Sequence, residues 1–463
     1  MDASNDAHGV SGPVPEEMYT PEVHASALAV ETAIVAGGRG TGKSFWSGVL
    51  LDESCRRVAA VAYPQLRLDR IRARAAFTGL KGQLGVDRDK LDAAVPQDAS
   101  LDQARAFWWA TVLRALAGDR GEPERAPAAF IGAVSPEAID AALDEADARH
   151  AAAGTRLVIV FDAVDTVAST WPRRRLLTQA LLEVIWAFRT WRHVRPKLFI
   201  RRDQLDDDAI RYVELPKLRA GAVDLKWRGV DLYGMLFTRL YASPVAEQVH
   251  RQLGDSTPLP TVVSALRSSQ WPLRRSEAVQ RSAMSRLAGD FMADGPHGRK
   301  KGTTWDWPLR HLSDARDEIT PRAFLTLVIA AARSEGRPDL VLPPRGMRLD
   351  GMRAASRERV NQLYEEIPWI KTALAPLSGL ELPVDAELVY WCWKASTTIG
   401  VIENDAKARG FLAPWSDVPS EAALTEALIQ LGVMMRRSDG RLDMPDLFRV
   451  ASRLLKKGAT APV

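Results

Sequence analysis

The sequence predicts an α/β fold, a doubly wound parallel sheet, followed by a long and largely helical region. Three observations point there. RLVIVFDAVD (Arg156–Asp165) is an almost continuous β-branched run, as in strands covered on both faces. Strand candidates alternate with segments of helical spacing from about Ala27 to Tyr241, the pattern of a sheet wrapped by helices. Beyond Leu253 no strand candidate of similar strength occurs, and helical spacing dominates.

The elements follow in order. Residues up to about Tyr19 are rich in Ser, Gly, Pro and acids and read as a mobile lead-in. The apolar run Thr32–Ala36 is the first strand, and a helix begins near Phe45. RRVAAVAYP (Arg56–Pro64) reads as a second buried strand, and the charged stretch Arg67–Pro96 as an irregular insertion. Leu101–Gly118 has apolar positions at helical spacing. After Arg156–Asp165 come a helix over Arg174–Trp191 and strands at Lys197–Ile200 and Ala222–Trp227. GPHGRKKGTTWDW (Gly295–Trp307) reads as a basic loop, and Pro or Gly clusters near 342–346 and 378–383 suggest boundaries.

With 463 residues and 46% hydrophobic side chains, the chain is long enough for two or three domains. No apolar run approaches the roughly 20 residues that cross a bilayer, and the first residues lack the features of a secretory signal. A cytoplasmic protein without membrane contact is expected. Cys55 and Cys392 stand far apart, which excludes a disulfide scaffold or a Cys-rich zinc site. Its 62 Lys and Arg nearly balance 58 Asp and Glu, so any nucleic-acid contact has to come from a local patch.

The chemistry is concentrated in GGRGTGKS, with Gly37, Gly38, Arg39, Gly40, Thr41, Gly42, Lys43 and Ser44 followed by Phe45. The stretch fits G-x-x-x-x-G-K-[ST] between a strand and a helix, the context in which that pattern cradles phosphates. Glycines let successive backbone N–H groups curl around an anion, and the helix offers its positive end. Lys43 is then positioned for the β- and γ-phosphates of a nucleotide, and the Ser44 hydroxyl for Mg2+. Asp162, directly after LVIVF, is the strand-end carboxylate that completes the metal shell; a helix cap is its other reading. Asp165, three residues on, is read as the base that orients water, with helix capping as the alternative. ATP is expected rather than GTP, because no Asn-Lys-x-Asp stretch is present.

Through GGRGTGKS, VIVFDAVD and KLFIRRD the sequence resembles P-loop ATPases of the additional-strand type, near the AAA+ and STAND groups and bacterial KAP-like ATPases. The resemblance covers about Ala27–Leu240 and extends weakly to TPRAFLTLVIAAA (Thr320–Ala332). It implies a polar sensor after the next strand, Arg201 or Arg202 with Asp203 beside them, and a second sensor at Arg322, similar to that of origin-recognition-type members. A structural arginine is the other reading of Arg322. LKWRGVDLYGMLFTRL (Leu225–Leu240) resembles the link into a helical lid. The implied division is a flexible segment 1–26, an ATPase core 27–241, a lid 242–345 and a C-terminal helical, winged-helix-like domain 346–463. Where AAA+ proteins carry Asp-Glu, Asp162 is followed by Ala163, which leaves two expectations: Asp165 serves instead, or turnover is slow and the nucleotide acts as a switch. WPRRRLL (Trp171–Leu177) is read either as the source of an arginine finger for a neighbouring subunit or as a solvated helix start.

Toward the C-terminus, RRSDGRLDM has the Asp-Gly of a tight hairpin turn. Arg436, Arg437, Arg441, Arg449, Arg453, Lys456 and Lys457 outnumber the local acids, which with the hairpin suggests a winged helix on double-stranded DNA or, equally, a protein-docking module. Trp305, Trp307, Trp369, Trp391 and Trp393 read as core or interface anchors. The expected function is an ATP-driven switch or remodeller, forming homo-oligomers and acting on DNA or an effector protein, with phage defence as a setting drawn from the resemblance alone. A small-molecule kinase and a non-catalytic nucleotide-bound scaffold are the alternatives.

Overall fold

The computed structural model describes residues 13–15, 18–79, 81, 86–123, 125–168, 170–206, 210–253, 271–293, 295, 298–335, 340–415 and 418–457. Two compact units divide the chain at Lys226/Trp227.

The N-terminal unit holds a five-stranded parallel sheet: β1 (Ile34–Gly37), β2 (Ile71–Phe77), β3 (Arg156–Phe161), β4 (Val194–Arg201) and β5 (Val223–Asp224). Their spatial order is β2-β3-β4-β1-β5. Thus β4 is inserted between the strand that leads into the glycine loop and the strand that ends at Asp162, which is the additional strand of that P-loop class. Five helices matter most: α1 (Lys43–Leu51), α2 (Glu53–Ala62), α3 (Leu101–Asp119), α4 (Pro136–Ala152) and α5 (Trp171–Ala187).

Strand side chains alternate between faces, so each buried strand feeds two cores. Leu157, Ile159 and Phe161 of β3, with Leu198 and Ile200 of β4, pack against α3, α4 and α5. Val158, Val160 and Phe199 instead join Trp46, Val49 and Leu50 of α1 and Cys55 and Ala59 of α2. Burial of each large apolar side chain contributes about 1.5–3 kcal/mol, so the two cores together fix where the strands end.

Three local expectations change. Arg56–Pro64 is not a strand. Asp52 caps α2 by accepting the Cys55 N–H, and the alanine-rich stretch continues as helix to Ala62. The stretch 67–96 is not an irregular insertion, since it contains β2, whose Ile71 and Ala73 join the second core. Residues 18–26 of the expected flexible segment are packed in place, and residues 1–12, 16 and 17 lie outside the described residues. Met18, Tyr19 and His24 are buried; Trp46 donates its Nε1–H to His24 Nδ1 at 3.0 Å, leaving Nε2–H for the Lys226 carbonyl at 2.9 Å.

Lys197 on β4 is fully buried, and its ammonium donates to the carbonyls of Ala27 (3.0 Å), Ala29 (2.6 Å) and Thr32. It binds the N-terminal segment to the sheet. Burial pushes its pKa down to about 7.

The C-terminal unit is largely helical. Gly229–Ala242 is almost wholly buried there, and Pro321–Ala332 packs on Met352–Glu366. Helices Ala386–Ala395, Thr398–Arg409 and Glu421–Gln430 precede an antiparallel hairpin, Met435–Arg436 with Leu442–Asp443, whose turn contains Gly440 at φ 84°. Trp305, Trp307, Trp369 and Trp393 are buried anchors, whereas Trp391 is 65% exposed.

Candidate nucleotide-binding site

The loop from Gly37 to Gly42 joins β1 to α1 at the carboxyl end of the sheet, the usual ligand edge of doubly wound folds. Gly40 (φ 82°) and Gly42 (φ 104°) take backbone conformations that L side chains rarely adopt. A Cβ on Gly37 would stand 2.5 Å from Thr41 Oγ1, so glycine is also required by close approach. Thr41 Oγ1 donates to the Gly38 carbonyl at 2.9 Å and tightens the turn. Lys43 Nζ folds back to the carbonyls of Gly37 (3.0 Å) and Gly38 (2.7 Å), which holds its charge over the loop. Arg39 is partly exposed, and Phe45 is half-buried edge-on to Trp46.

Asp162 follows the last residue of β3 and is pinned there, its N–H donating to the Phe77 carbonyl at 2.8 Å. Its carboxylate accepts from the Ala163 N–H and the Ser44 hydroxyl, so helix α1 and strand β3 meet at this acid. Asp162 is 2% exposed, yet Oδ2 has no hydrogen-bond partner. Burial raises its pKa above the usual carboxylate range, and the Asp165 charge adds to the effect, while the bonds from Ala163 and Ser44 and the Lys43 charge oppose it. An ionisable oxygen left over beside a hydroxyl is what a hard divalent cation with oxygen ligands requires, and the pair fits Mg2+. Among the described residues no group of three or more His, Cys, Asp or Glu is placed to hold a metal by itself. The remaining ligands would have to come from phosphate and water.

Asp165 lies one turn on, in the short 3-10 helix Val164–Thr166, with Oδ2 3.9 Å from Arg201 Nη1. Arg201 pairs across the sheet with Gly37 and gives two hydrogen bonds to Asp203, at 2.9 and 2.7 Å. Arg202 reaches across the end of β1 to Asp224 on β5 and lies 3.9 Å from Asp206. The register pairs Arg201 with Gly37 and puts it beside Asp165, while Arg202 also stays at the end of the loop strand. Arg322 belongs to the C-terminal unit, in the first turn of Pro321–Ala332 and 3.8 Å from Glu358.

Of the WPRRRLL arginines, Arg173 is structural. It is buried and bonds Asp92 (2.9 Å) and the carbonyls of Val95 (2.9 Å) and Pro96 (2.5 Å). Arg174, the next arginine of that stretch, is held on the Ala168 carbonyl at 3.0 Å. Together with Gly79, Asp165 and Thr166 it lines a cavity of about 440 Å3 at the ends of β2 and β3. Its pKa is lowered by burial first and then by the Arg201 charge. Gly79 (φ 70°) is needed here too, because a Cβ would come within 3.0 Å of Ala163 Cβ.

Most of the C-terminal basic residues have acidic partners. Arg449 is 0% exposed, bonded to Asp446 at 2.6 Å and to the Leu454 carbonyl at 2.9 Å. Arg436 pairs with Glu426 (2.7 Å), Arg437 with Asp443 (3.6 Å), Arg441 with Asp439 (2.7 Å) and Lys456 with Asp443 (2.9 Å). Arg453 and Lys457 are exposed.

The fold and the strand-end geometry define a P-loop fold of the additional-strand class. No family model matches the sequence, and no curated protein does. Among solved structures the chain is similar to the ORC2 protein of Aeropyrum pernix, in its ADPNP–ADP complexes, at TM-score 0.39 and 13% identity, covering 92% of this chain and 89% of the other. It is also similar to Cdc6p from Pyrobaculum aerophilum, at TM-score 0.30 and 10% identity, covering 89% and 83%. Among the described residues no helix is long and apolar enough to cross a membrane.

Proposed function

We propose that the chain binds Mg·ATP at the Gly37–Ser44 loop, hydrolyses it slowly, and uses the nucleotide state as a switch acting on DNA or an effector protein. The observation that carries this reading is the junction of Lys43, Ser44 and Asp162, with one buried carboxylate oxygen left unpartnered beside a phosphate-sized glycine loop. When bound, Mg2+ would neutralise phosphate charge, with Ser44 and Asp162 holding it. Lys43 would exchange its loop carbonyls for phosphate oxygens, and the loop N–H groups would supply the cradle.

Asp165 is the candidate for orienting water and Arg201 for sensing the terminal phosphate. Both are proposals supported by their 3.9 Å separation and by the pairing of Arg201 with Gly37. Ala163, at φ 55°, occupies the position where AAA+ ATPases place a glutamate, which favours slow turnover and a switch over a motor. Arg322 as a second sensor, a lid over 242–345, homo-oligomers and a role in phage defence complete the proposal on the resemblance, and a winged helix in 346–463 is supported by the Met435–Arg436 and Leu442–Asp443 hairpin.

The test is Lys43→Ala, assayed by calorimetric titration of Mg·ATP and by phosphate release. Nucleotide affinity and turnover should fall by orders of magnitude while thermal stability stays within about 0.5 kcal/mol, since the side chain is at the surface. Unchanged affinity would remove the assignment.

A further inference from the structure

The edge of the sheet farthest from β1 carries a second charged feature that the nucleotide loop does not use. β2 is the outermost strand, and its alternation sends Ile71 and Ala73 into the core while Arg72 and Arg74 stay exposed. Arg70 precedes them, and Arg56 and Arg57 approach from α2. The five arginines line one cavity of about 560 Å3, with Glu53 and Asp69 as its only carboxylates. Glu53 is already committed to Arg57. Among the described residues Arg70, Arg72 and Arg74 pair with no acid.

Edge strands carry outward charge to prevent pairing with other strands, but that role favours lysine and accounts only for the strand's own residues. It does not account for Arg56. This side chain is 8% exposed, gives an N–H to the Leu50 carbonyl at 2.5 Å, and lies within reach of the Glu53 and Asp52 charges and, more weakly, of the like charge of Arg74. Converging guanidiniums with too few acids repel one another unless an anion sits between them, and the planar fork of arginine matches phosphate oxygens.

We propose that this cleft binds the phosphodiester backbone of nucleic acid. An acidic peptide fits less well, because Leu68, Ile71 and Ala73 are buried and the half-buried Leu51 is the one apolar side chain of the lining still in reach, too little for the anchors that carry peptide affinity. Arg72 and Arg74 are two residues apart on a strand, about 6.6 Å, so that the pair can meet two phosphates of one nucleic-acid strand. The cleft sits at the amino ends of parallel strands and the glycine loop at their carboxyl ends, so both sites can be filled at once. The proposal does not depend on the nucleotide reading.

The experiment is fluorescence anisotropy on the full chain with a labelled 20-nucleotide single strand and the same strand annealed, from 50 to 200 mM salt. Binding should weaken steeply with salt. The double variant Arg72→Glu with Arg74→Glu should lose at least about tenfold in affinity at 50 mM, with a single-strand salt slope shallower by roughly 1.4, about 0.7 for each phosphate contact removed. Its Mg·ATP affinity should match the parent, which reports an intact fold, and Lys43→Ala should keep the oligonucleotide affinity. Arg72→Lys with Arg74→Lys should recover most of the binding. Salt-independent binding, equal affinity in the charge-reversed variant, or displacement of the oligonucleotide by polyglutamate at equal charge would each overturn the proposal.

Discussion

Asp162→Asn should make the empty protein more stable and abolish its response to Mg·ATP. The parent buries a carboxylate with one oxygen unpartnered, and burial raises its pKa. A raised carboxyl pKa is a cost of folding that is absent when the pH is below the ordinary carboxylate value. It grows as the pH climbs from there to the folded value, and stays in full above it. Leaving a buried polar group unsatisfied costs about 1–3 kcal/mol. The asparagine can keep the bonds from Ala163 N–H and Ser44 while removing the charge, although its own amide is then without a partner. A net gain of about 1–2 kcal/mol near pH 7 is therefore expected, or about 2–8 °C at the roughly 2–4 °C per kcal/mol typical of a unit this size. In the parent, Mg·ATP at 100 times its dissociation constant should add about 2.7 kcal/mol, an increment the variant should lack. Calorimetric melting at pH 4 and pH 7.5, with and without Mg·ATP, separates the two effects, and the advantage of the empty variant should shrink at pH 4. An Asp162→Asn protein that melts well below the parent yet keeps its full Mg·ATP shift would mean the acid is an ordinary structural group, and the metal assignment would fall.

Two more outcomes follow from buried charges outside the site. Lys197 has a folded pKa of about 7, so the unfolded chain binds more protons from there to about 10.4; parent stability should rise over that window by up to about 1.4 kcal/mol per pH unit, and Lys197→Met should remove that rise in urea melts. The same variant should be less stable at pH 7, because the carbonyls of Ala27, Ala29 and Thr32 lose their donor. In the C-terminal unit, burial alone would raise the Asp446 pKa, but the His311 hydrogen bond and the Arg449 charge hold it down at about 2; its contribution is present above about pH 4 and lost as the pH falls toward 2. Asp446→Ala should cost about 3–5 kcal/mol by stranding the buried Arg449, read by urea denaturation at pH 7, and should flatten the acid limb of the stability curve.

The geometry of the glycine loop and the strand-end position of Asp162 were legible in the sequence because their constraints are local: glycines where φ must be positive, a strand before and a helix after, and an acid at the end of an apolar run. The N-terminal fold class was legible from the same alternation. What failed was reading residues whose role depends on a distant neighbour. IRARAAF alternates as a strand should, but arginine at every second position disguised it as an insertion, since only an edge strand can leave those positions in solvent. RRVAAVA looks apolar enough for a strand, and the deciding signal was Asp52 one turn upstream, acting as a cap. The C-terminal basic count did not reveal that Asp439, Asp443 and Asp446 pair with Arg441, Lys456 and Arg449, since partners across a turn are not visible in a local excess. No spacing rule could have brought Arg174 to Asp165, since the helix start and the strand end meet only once the sheet has formed.

Both cations near the glycine loop are held by protein oxygens, and this bears on whether the nucleotide acts as fuel or as signal. Lys43 is bonded to two loop carbonyls and Arg201 to both oxygens of Asp203, so neither cation waits unpartnered for phosphate. Binding must exchange those bonds for charge-assisted ones to phosphate, each worth about 1.5–3 kcal/mol. A ligand shifts a conformational equilibrium only by the difference in its contacts between states. In the role proposed for Arg201, that difference lies where it would trade a carboxylate for the terminal phosphate, a trade a diphosphate does not offer, so the response to hydrolysis should begin at the Arg201–Asp203 pair rather than at the glycine loop.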